Sequence, residues 1–283
     1  MKYYIIDAFT NQPFGGNPAG VVLLEQGAGF PDDALMLKVA AELRYSETAF
    51  VRQDGPTAFT VRYFTPASEV DLCGHATIAT FGMLCQEGIV PAGARCTNHT
   101  LAGDLEVTAG NPVMMQMAPP RCIDKPVDVE RLHAIMATSW PDAWPAMPVE
   151  VISTGLPDII MPVTSLEALN DLRPDMDALT ALSKELDVVG VHAFAITGDG
   201  YTAHARNFAP LYGVPEESAT GTANGALTHY LSRQGLIQAP AQCHFLQGEA
   251  MGRPSIVSTS LLDDGSILVG GQCRIIATGN LAV

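Results

Sequence analysis

The sequence predicts a chain of mixed α and β elements arranged as two similar domains, an α+β fold. Three observations predict it. The 283 residues are close to twice the roughly 150 typical of one domain. Strand-patterned and helix-patterned segments alternate in both halves. A set of short sequence pieces in the first half also recurs, in the same order, in the second.

KYYIIDAF (2–9) is β-branched and aromatic and reads as a strand. NQPFGGNPAG (11–20) is turn-rich and is expected as a loop before a second strand, VVLL (21–24). PDDALMLKVAAELR (31–44) opens with Pro and two acids and places apolar residues at 35, 39, 40 and 43, which predicts a helix. ETAFVRQ (47–53) and AFTVRYF (58–64) flank a DG turn and predict a hairpin. Residues 65–73 are expected as a loop, 74–87 as an apolar helix, and DLEVTAG and VMMQMA (104–118) as two strands. PPRCIDKP (119–126) has three prolines and is expected as a linker. After it come a helix near 128–137, a strand and loop at 151–163, and a helix at 174–186. A hairpin at 192–208, a loop, a helix from about 220 to 234 and strands over 241–277 complete the order. The expected organisation is a first repeat domain at 1–118, the linker at 119–126 and a second repeat domain at 127–270. The C-terminal strand, 271–283, would pack back on the first domain.

The repeat is visible residue by residue. Ala49-Phe50 precedes Arg62-Tyr63-Phe64-Thr65-Pro66, and Ala193-Phe194 precedes Arg206-Asn207-Phe208-Ala209-Pro210 with the same spacing. Cys73-Gly74-His75-Ala76 is matched by Thr220-Gly221-Thr222-Ala223, and Gly16-Asn17-Pro18 by Gly155-Leu156-Pro157. Chance similarity of two αβ segments is the plainer account; duplication explains why every piece falls in the same kind of element. Gly74 and Gly221 each open a helix. A helix start offers free N–H groups and a partial positive charge, so two of them facing one cleft would hold a carboxylate.

Composition narrows the function. Apolar residues make up 47% and charged residues 16%, the reverse of a disordered chain. The net charge is −15 and no Lys/Arg cluster stands out, which argues against nucleic acid and anionic membrane surfaces as partners. No apolar run reaches the roughly 20 residues of a membrane span. MKYYIIDAFT lacks a signal-peptide core, and the six scattered cysteines are expected as reduced thiols in a cytoplasmic protein.

Several side chains are candidates for chemistry. Glu47, between a helix and an apolar strand, is placed for general acid or base work, although a solvated strand-start Glu has the same pattern. His75, at a helix start, is expected as a neutral donor or acceptor, or else as a cap or core histidine. Cys73 precedes that helix start, where a thiol is either activated or buried and inert. Its repeat counterpart is Thr220, so the second thiol of a two-thiol racemase is missing. Cys73 and His75 are two possible metal donors without a second close pair, so no metal site is expected. Glu216 and Glu217 precede the second helix and either serve its dipole or form one half of a carboxyl pair with Glu47. There is no Walker A loop, no G-x-G-x-x-G after the first strand and no G-x-S-x-G elbow, so nucleotide and serine-hydrolase chemistry lack support.

GGNPAGVV (15–22), SETAFV (46–51), FTPASEVDLCGHATIAT (64–80) and FAPLYGVPEESATGTAN (208–224) together resemble the phenazine-biosynthesis PhzF-like isomerase family. The resemblance implies a diaminopimelate-epimerase-like fold: two similar domains, each a β-barrel-like sheet around a central helix. It also implies an active site between the domains, a homodimer and proton-shuttle isomerisation of a small carboxylated, cyclic substrate without a cofactor. Carried over by motif, Glu47 shuttles the proton, while Gly74 and His75 belong to the C-G-H-A-T segment. The family's E-D-P-A-T-G-S-A segment reads EESATGTA here. Glu217 therefore stands where the family has Asp, and Thr222 where it has Ser. Asn17, in the first glycine loop, lines the pocket on this reading, and Gly221 helps bind substrate. The longer Glu arm, by one CH₂ or about 1.5 Å, points to a compound other than dihydro-hydroxyanthranilate, because small misplacements are costly in a fitted site. Two other functions stay open: an amino-acid racemase or epimerase using Cys73, and a non-catalytic small-acid-binding protein.

Overall fold

A computed structural model describes residues 1–138 and 147–283. The chain forms two compact units, Met1–Gln116 with Gly270–Val283, and Met117–Val269.

In the first unit, β1 (Lys2–Ala8) lies between β18 (Cys273–Asn280) and β2 (Asn17–Leu23), antiparallel to both. β2 runs parallel to β3 (Thr48–Gln53), which forms a hairpin with β4 (Ala58–Phe64). β4 carries the short β5 (Glu69–Val70) and runs parallel to β6 (Arg95–Thr100). β7 (Gly103–Thr108) and β8 (Val113–Gln116) continue antiparallel. Inside this sheet sits α2 (Gly74–Gln86), buried at every residue from His75 to Leu84. A helix that is apolar or small all round belongs in a core, and here it packs on β1, β2, β3, β8 and β18. The outer side is covered by α1 (Asp33–Leu43), whose Met36, Val39 and Ala40 pack on Val22, Phe50 and Phe64.

The second unit repeats this pairing order. β9 (Arg121–Ile123) and β11 (Pro157–Pro162) flank β10 (Glu150–Ser153), antiparallel to it. β11 runs parallel to β12 (Val191–Ala195), which pairs antiparallel with β13 (Ala203–Ala209). β13 carries β14 (Val214–Glu217), runs parallel to β15 (Ala241–Gln247), and β15 pairs antiparallel with β16 (Ser255–Leu261). β17 (Ile267–Gly271) follows. The central helix is α6 (Gly221–Arg233), on β10, β11 and β16. α3 (Val129–Met136), α4 (Leu166–Asn170) and α5 (Met176–Leu186) cover the outside through Leu132, Leu169, Leu179 and Leu182.

One ion pair is built twice. Arg62 on β4 clamps Glu69 on β5 through two bonds of 2.7 and 2.6 Å, and Arg206 on β13 clamps Glu216 on β14 through 2.8 and 2.9 Å. Each guanidinium also lies over the phenylalanine two residues on, Phe64 or Phe208, at 5.2 and 4.8 Å. The two-point fork of arginine fits a carboxylate edge to edge, and it pins the short extra strand to the sheet.

Several elements differ from the sequence reading. β2 begins at Asn17, inside the stretch expected as a loop; Pro18 is tolerated because pairing with β3 starts only at Gly20. β6 has no sequence signal, because its inward positions are Cys96 and Asn98 rather than aliphatic residues. β9 lies within the stretch read as a linker, and α4 and β5 are too short to show a period. Among the described residues no helix is long and apolar enough to cross a membrane.

Candidate active site

In the first unit, the turn after α1 delivers Glu47. α1 ends on Arg44 in the left-handed region, at φ 62°, and the chain passes Tyr45 and Ser46 into β3. The Glu47 carbonyl accepts from the Gly20 N–H at 3.2 Å. Gly20 is needed there: a Cβ would meet Thr48 Oγ1 at 2.8 Å and push β3 away from β2. The adjoining loop turns at Gly16, φ +64°, where a Cβ would stand 2.2 Å from the Ala8 carbonyl oxygen. Asn17 follows, buried at the start of β2 opposite Ala8.

α2 begins at Gly74 with Cys73 as its N-cap, and the cap carbonyl accepts from Thr77 Oγ1 at 2.7 Å. The same Thr77 hydroxyl meets the Tyr63 hydroxyl at 2.7 Å, and Asn98 donates to Tyr63 at 2.9 Å. Burial pushes the Tyr63 phenol far above its usual range, so it stays a neutral strut under the helix start.

Glu47, His75 and Cys73 come together at that helix start. Glu47 Oε2 lies 3.2 Å from His75 Nε2, with side chains 20% and 5% exposed. Ser46 Oγ is 3.3 Å from the same nitrogen, and Cys73 Sγ is 3.4 Å from Nδ1. One imidazole thus joins a carboxylate to a thiol. The Glu47 side chain is part exposed, but the Oε2 that faces His75 is buried, as is His75 itself. That Oε2 hydrogen-bonds no described group, while Nε2 pairs with Ser46, so the imidazole lies within reach of the carboxylate to pass a proton without fixing its direction.

In the second unit, Glu217 closes β14 opposite Asn207, while its neighbour Glu216 is occupied by Arg206. Glu217 Oε2 accepts from Thr220 Oγ1 at 2.5 Å. Thr220 caps α6, which opens at Gly221 and Thr222. Buried Gln247 ties the turn together. Its amide donates to the Glu217 carbonyl at 2.7 Å and to Thr220 Oγ1 at 3.1 Å, and its oxygen accepts from Asn224 at 2.8 Å. Asn224 also donates to the Thr220 carbonyl at 2.9 Å, the role Thr77 has in the first unit. The Thr222 carbonyl accepts from Thr154 Oγ1 at 2.8 Å.

The sequence reading missed the polar groups beneath this turn. Asp158 on β11 is 1% exposed, and burial pushes its carboxyl up to about 8, with the Glu217 charge adding and an Asn207 hydrogen bond opposing. His192 is fully buried between Asn224 and Asn207, each 3.3 Å away, and burial lowers it to about 4. Both are therefore neutral at pH 7. The available signal was a lone acid inside the apolar run DIIMPV.

A sheet wrapped on a central helix is built twice, with acid–base side chains at each helix start. Residues 6–279 match the family described as phenazine biosynthesis-like protein, and the chain belongs to that family. Curated relatives include an uncharacterized isomerase of Deinococcus radiodurans, 35% identical over 97% of this chain and 92% of its own length. Another is the trans-2,3-dihydro-3-hydroxyanthranilate isomerase of Pseudomonas chlororaphis, 32% identical over 90% and 88%. Among solved structures, the PhzF-family phenazine biosynthesis protein of Bacillus anthracis superposes with a TM-score of 0.90 at 26% identity, over 100% and 99% of the two chains. A probable proline racemase from Agrobacterium radiobacter, at 14% identity and TM-score 0.58, shares the fold.

Proposed function

We propose that this isomerase works without a cofactor and moves a proton between carbons of a small, unsaturated carboxylic acid. Glu47 takes the proton from one carbon, the electron pair delocalises into the conjugated acid, and the protonated Glu47 carboxyl, after exchanging its proton with solvent, protonates a second carbon. The observation that carries the reading is the 3.2 Å contact of Glu47 Oε2 with His75 Nε2 at the start of α2. The carboxylate stands within proton-transfer reach of the imidazole, and the helix-start N–H groups favour negative charge developing nearby. His75 positions polar groups of the substrate or relays the proton. Asn17 and Gly74 bind polar groups of the substrate in the first unit; Gly221, Thr222 and Glu217 are the corresponding polar groups of the second. The name of the Pseudomonas chlororaphis relative supports this reaction class. Glu217, standing where the family motif has Asp, points away from that relative's own substrate.

The test is incubation in D₂O with a panel of cyclic and unsaturated amino and hydroxy acids, followed by NMR, with Glu47→Gln alongside. Exchange or isomerisation that disappears in the variant supports the reading, and near-normal activity in the variant overturns it. The 3.4 Å contact of Cys73 with His75 favours a second reading, a thiol base in a racemase. Cys73→Ala with full activity removes it. The reading also includes a cytoplasmic homodimer, which sedimentation equilibrium tests for its oligomeric part.

A further inference from the structure

As neighbours in sequence, Cys73 and His75 are only two metal donors. The fold adds a third, Glu47, from the turn that leads into β3. One donor atom from each of Glu47, Cys73 and His75 lies within 4.8 Å of the others. With Zn–S near 2.3 Å and Zn–N or Zn–O near 2.0 Å, tetrahedral donors stand roughly 3.3–3.5 Å apart. The observed separations are 3.2 Å from His75 Nε2 to Glu47 Oε2 and 3.8 Å from His75 Nε2 to Cys73 Sγ. The Glu47–His75 separation already fits, and the Cys73–His75 separation, a few tenths of an ångström too long, closes by a small rotation of those two side chains at the start of α2. Thiolate, imidazole and carboxylate together suit a borderline-soft divalent ion and not Mg²⁺ or Ca²⁺, which want oxygen ligands.

We propose that Glu47, His75 and Cys73 form a three-ligand site for Zn²⁺ or a similar soft divalent cation, whose occupancy switches the isomerase off. On binding, the Cys73 S–H bond breaks and its proton goes to solvent. Bonds form from the metal to Sγ, to Nε2 of neutral His75 and to the Glu47 carboxylate, and water fills the fourth position. The bound carboxylate no longer has a lone pair for a carbon acid. The metal is an inhibitor in this scheme, and the inhibition, though not the binding, rests on the role proposed for Glu47.

The binding arm of the test uses Co²⁺ as a spectroscopic stand-in and needs no substrate; the inhibition arm uses an acid that the wild type exchanges in D₂O. The full chain carries Cys122→Ser throughout, because Cys122 lies 3.7 Å from His229 and would offer a competing thiol–imidazole pair. The expected result is one Co²⁺ per chain, with a thiolate-to-metal charge-transfer band and the visible absorption of a tetrahedral ion. Cys73→Ser abolishes the band, and Glu47→Gln and His75→Gln each weaken binding by more than about 100-fold, beyond the effect of losing an outer-shell partner. Glu47→Gln, at a part-exposed position, covers the case in which a His75 variant misfolds. Zn²⁺ competes for the site and stops proton exchange, and a chelator restores it. Absence of the band at millimolar Co²⁺, or binding indifferent to Cys73→Ser and Glu47→Gln, overturns the site. Three-ligand binding with unimpaired exchange overturns the role of Glu47 and the switch while leaving the metal site standing.

Discussion

Replacing Glu47 with Gln preserves the size of the side chain and its reach to His75 but removes the basic oxygen. Loss of a general base costs about 10²–10⁴ in rate, so kcat should fall by that factor while the melting temperature barely moves. Glu217 makes a different prediction. Shortening it to Asp withdraws the carboxylate from Thr220, now 2.5 Å away, so Glu217→Asp should change KM and substrate preference more than it changes the fold. Asp158 belongs to stability. Its carboxyl binds a proton in the folded state up to about pH 8 but ionises near 3.8 when unfolded. Its contribution is therefore full below pH 4 and is lost as pH rises to 8, by roughly 1.4 kcal/mol per pH unit. His192 acts with the opposite sign between pH 4 and 6.5, because only its unfolded form takes up a proton there. The two groups nearly cancel up to pH 6.5, and Asp158 alone remains above it. Asp158→Asn should abolish the fall in stability between pH 6.5 and 8, measured by urea unfolding at several pH values. An unchanged slope would place the raised group elsewhere.

At the level of elements, the central helices are held by very close packing. A Cβ on Gly82 of α2 would stand 2.1 Å from the Cys273 sulfur of β18. Overpacking of this kind costs about 1–3 kcal/mol. Gly82→Ala should destabilise the protein by that amount, and Cys273→Ala should relieve part of it, so that the double variant loses less than the two single losses added. Additive losses would mean that the helix and strand do not meet there. Elements with aliphatic or aromatic alternation, such as β1, β3 and β4, were legible in the sequence. β6 was not, because Cys96 and Asn98 take its inward positions and Asn98 is recruited by Tyr63. α1 was legible through its opening acids and apolar spacing, and the structure shows Asp32, Asp128 and Asp175 capping α1, α3 and α5, each accepting a backbone N–H of the first turn.

On the scale of the molecule, the two units share one order of strand pairing, one central helix each and one arginine–glutamate clamp each. Repeated sequence pieces such as Arg62-Tyr63-Phe64 and Arg206-Asn207-Phe208 mark that order, since the arginine and the phenylalanine both make the clamp. The chemistry was less legible. Glu47 and His75 drew notice separately, one for its strand start and one for its helix start. Nothing in their spacing says that they stand 3.2 Å apart, because that distance is fixed by the parallel pairing of β2 with β3 around α2. Asn207 and Gln247 were invisible for a related reason. A buried polar residue is recognisable only once its partners are known, and these partners come from distant strands.

The proposed mechanism stands or falls on Glu47 as the group that moves the proton. The decisive quantity is the rate at which solvent deuterium enters a turned-over acid, wild type against Glu47→Gln, followed by NMR. Deuterium is expected at the reprotonated carbon in the wild type, with a loss of about 10²-fold or more in the variant and the fold unchanged. Equal rates of incorporation in the two proteins would contradict that role.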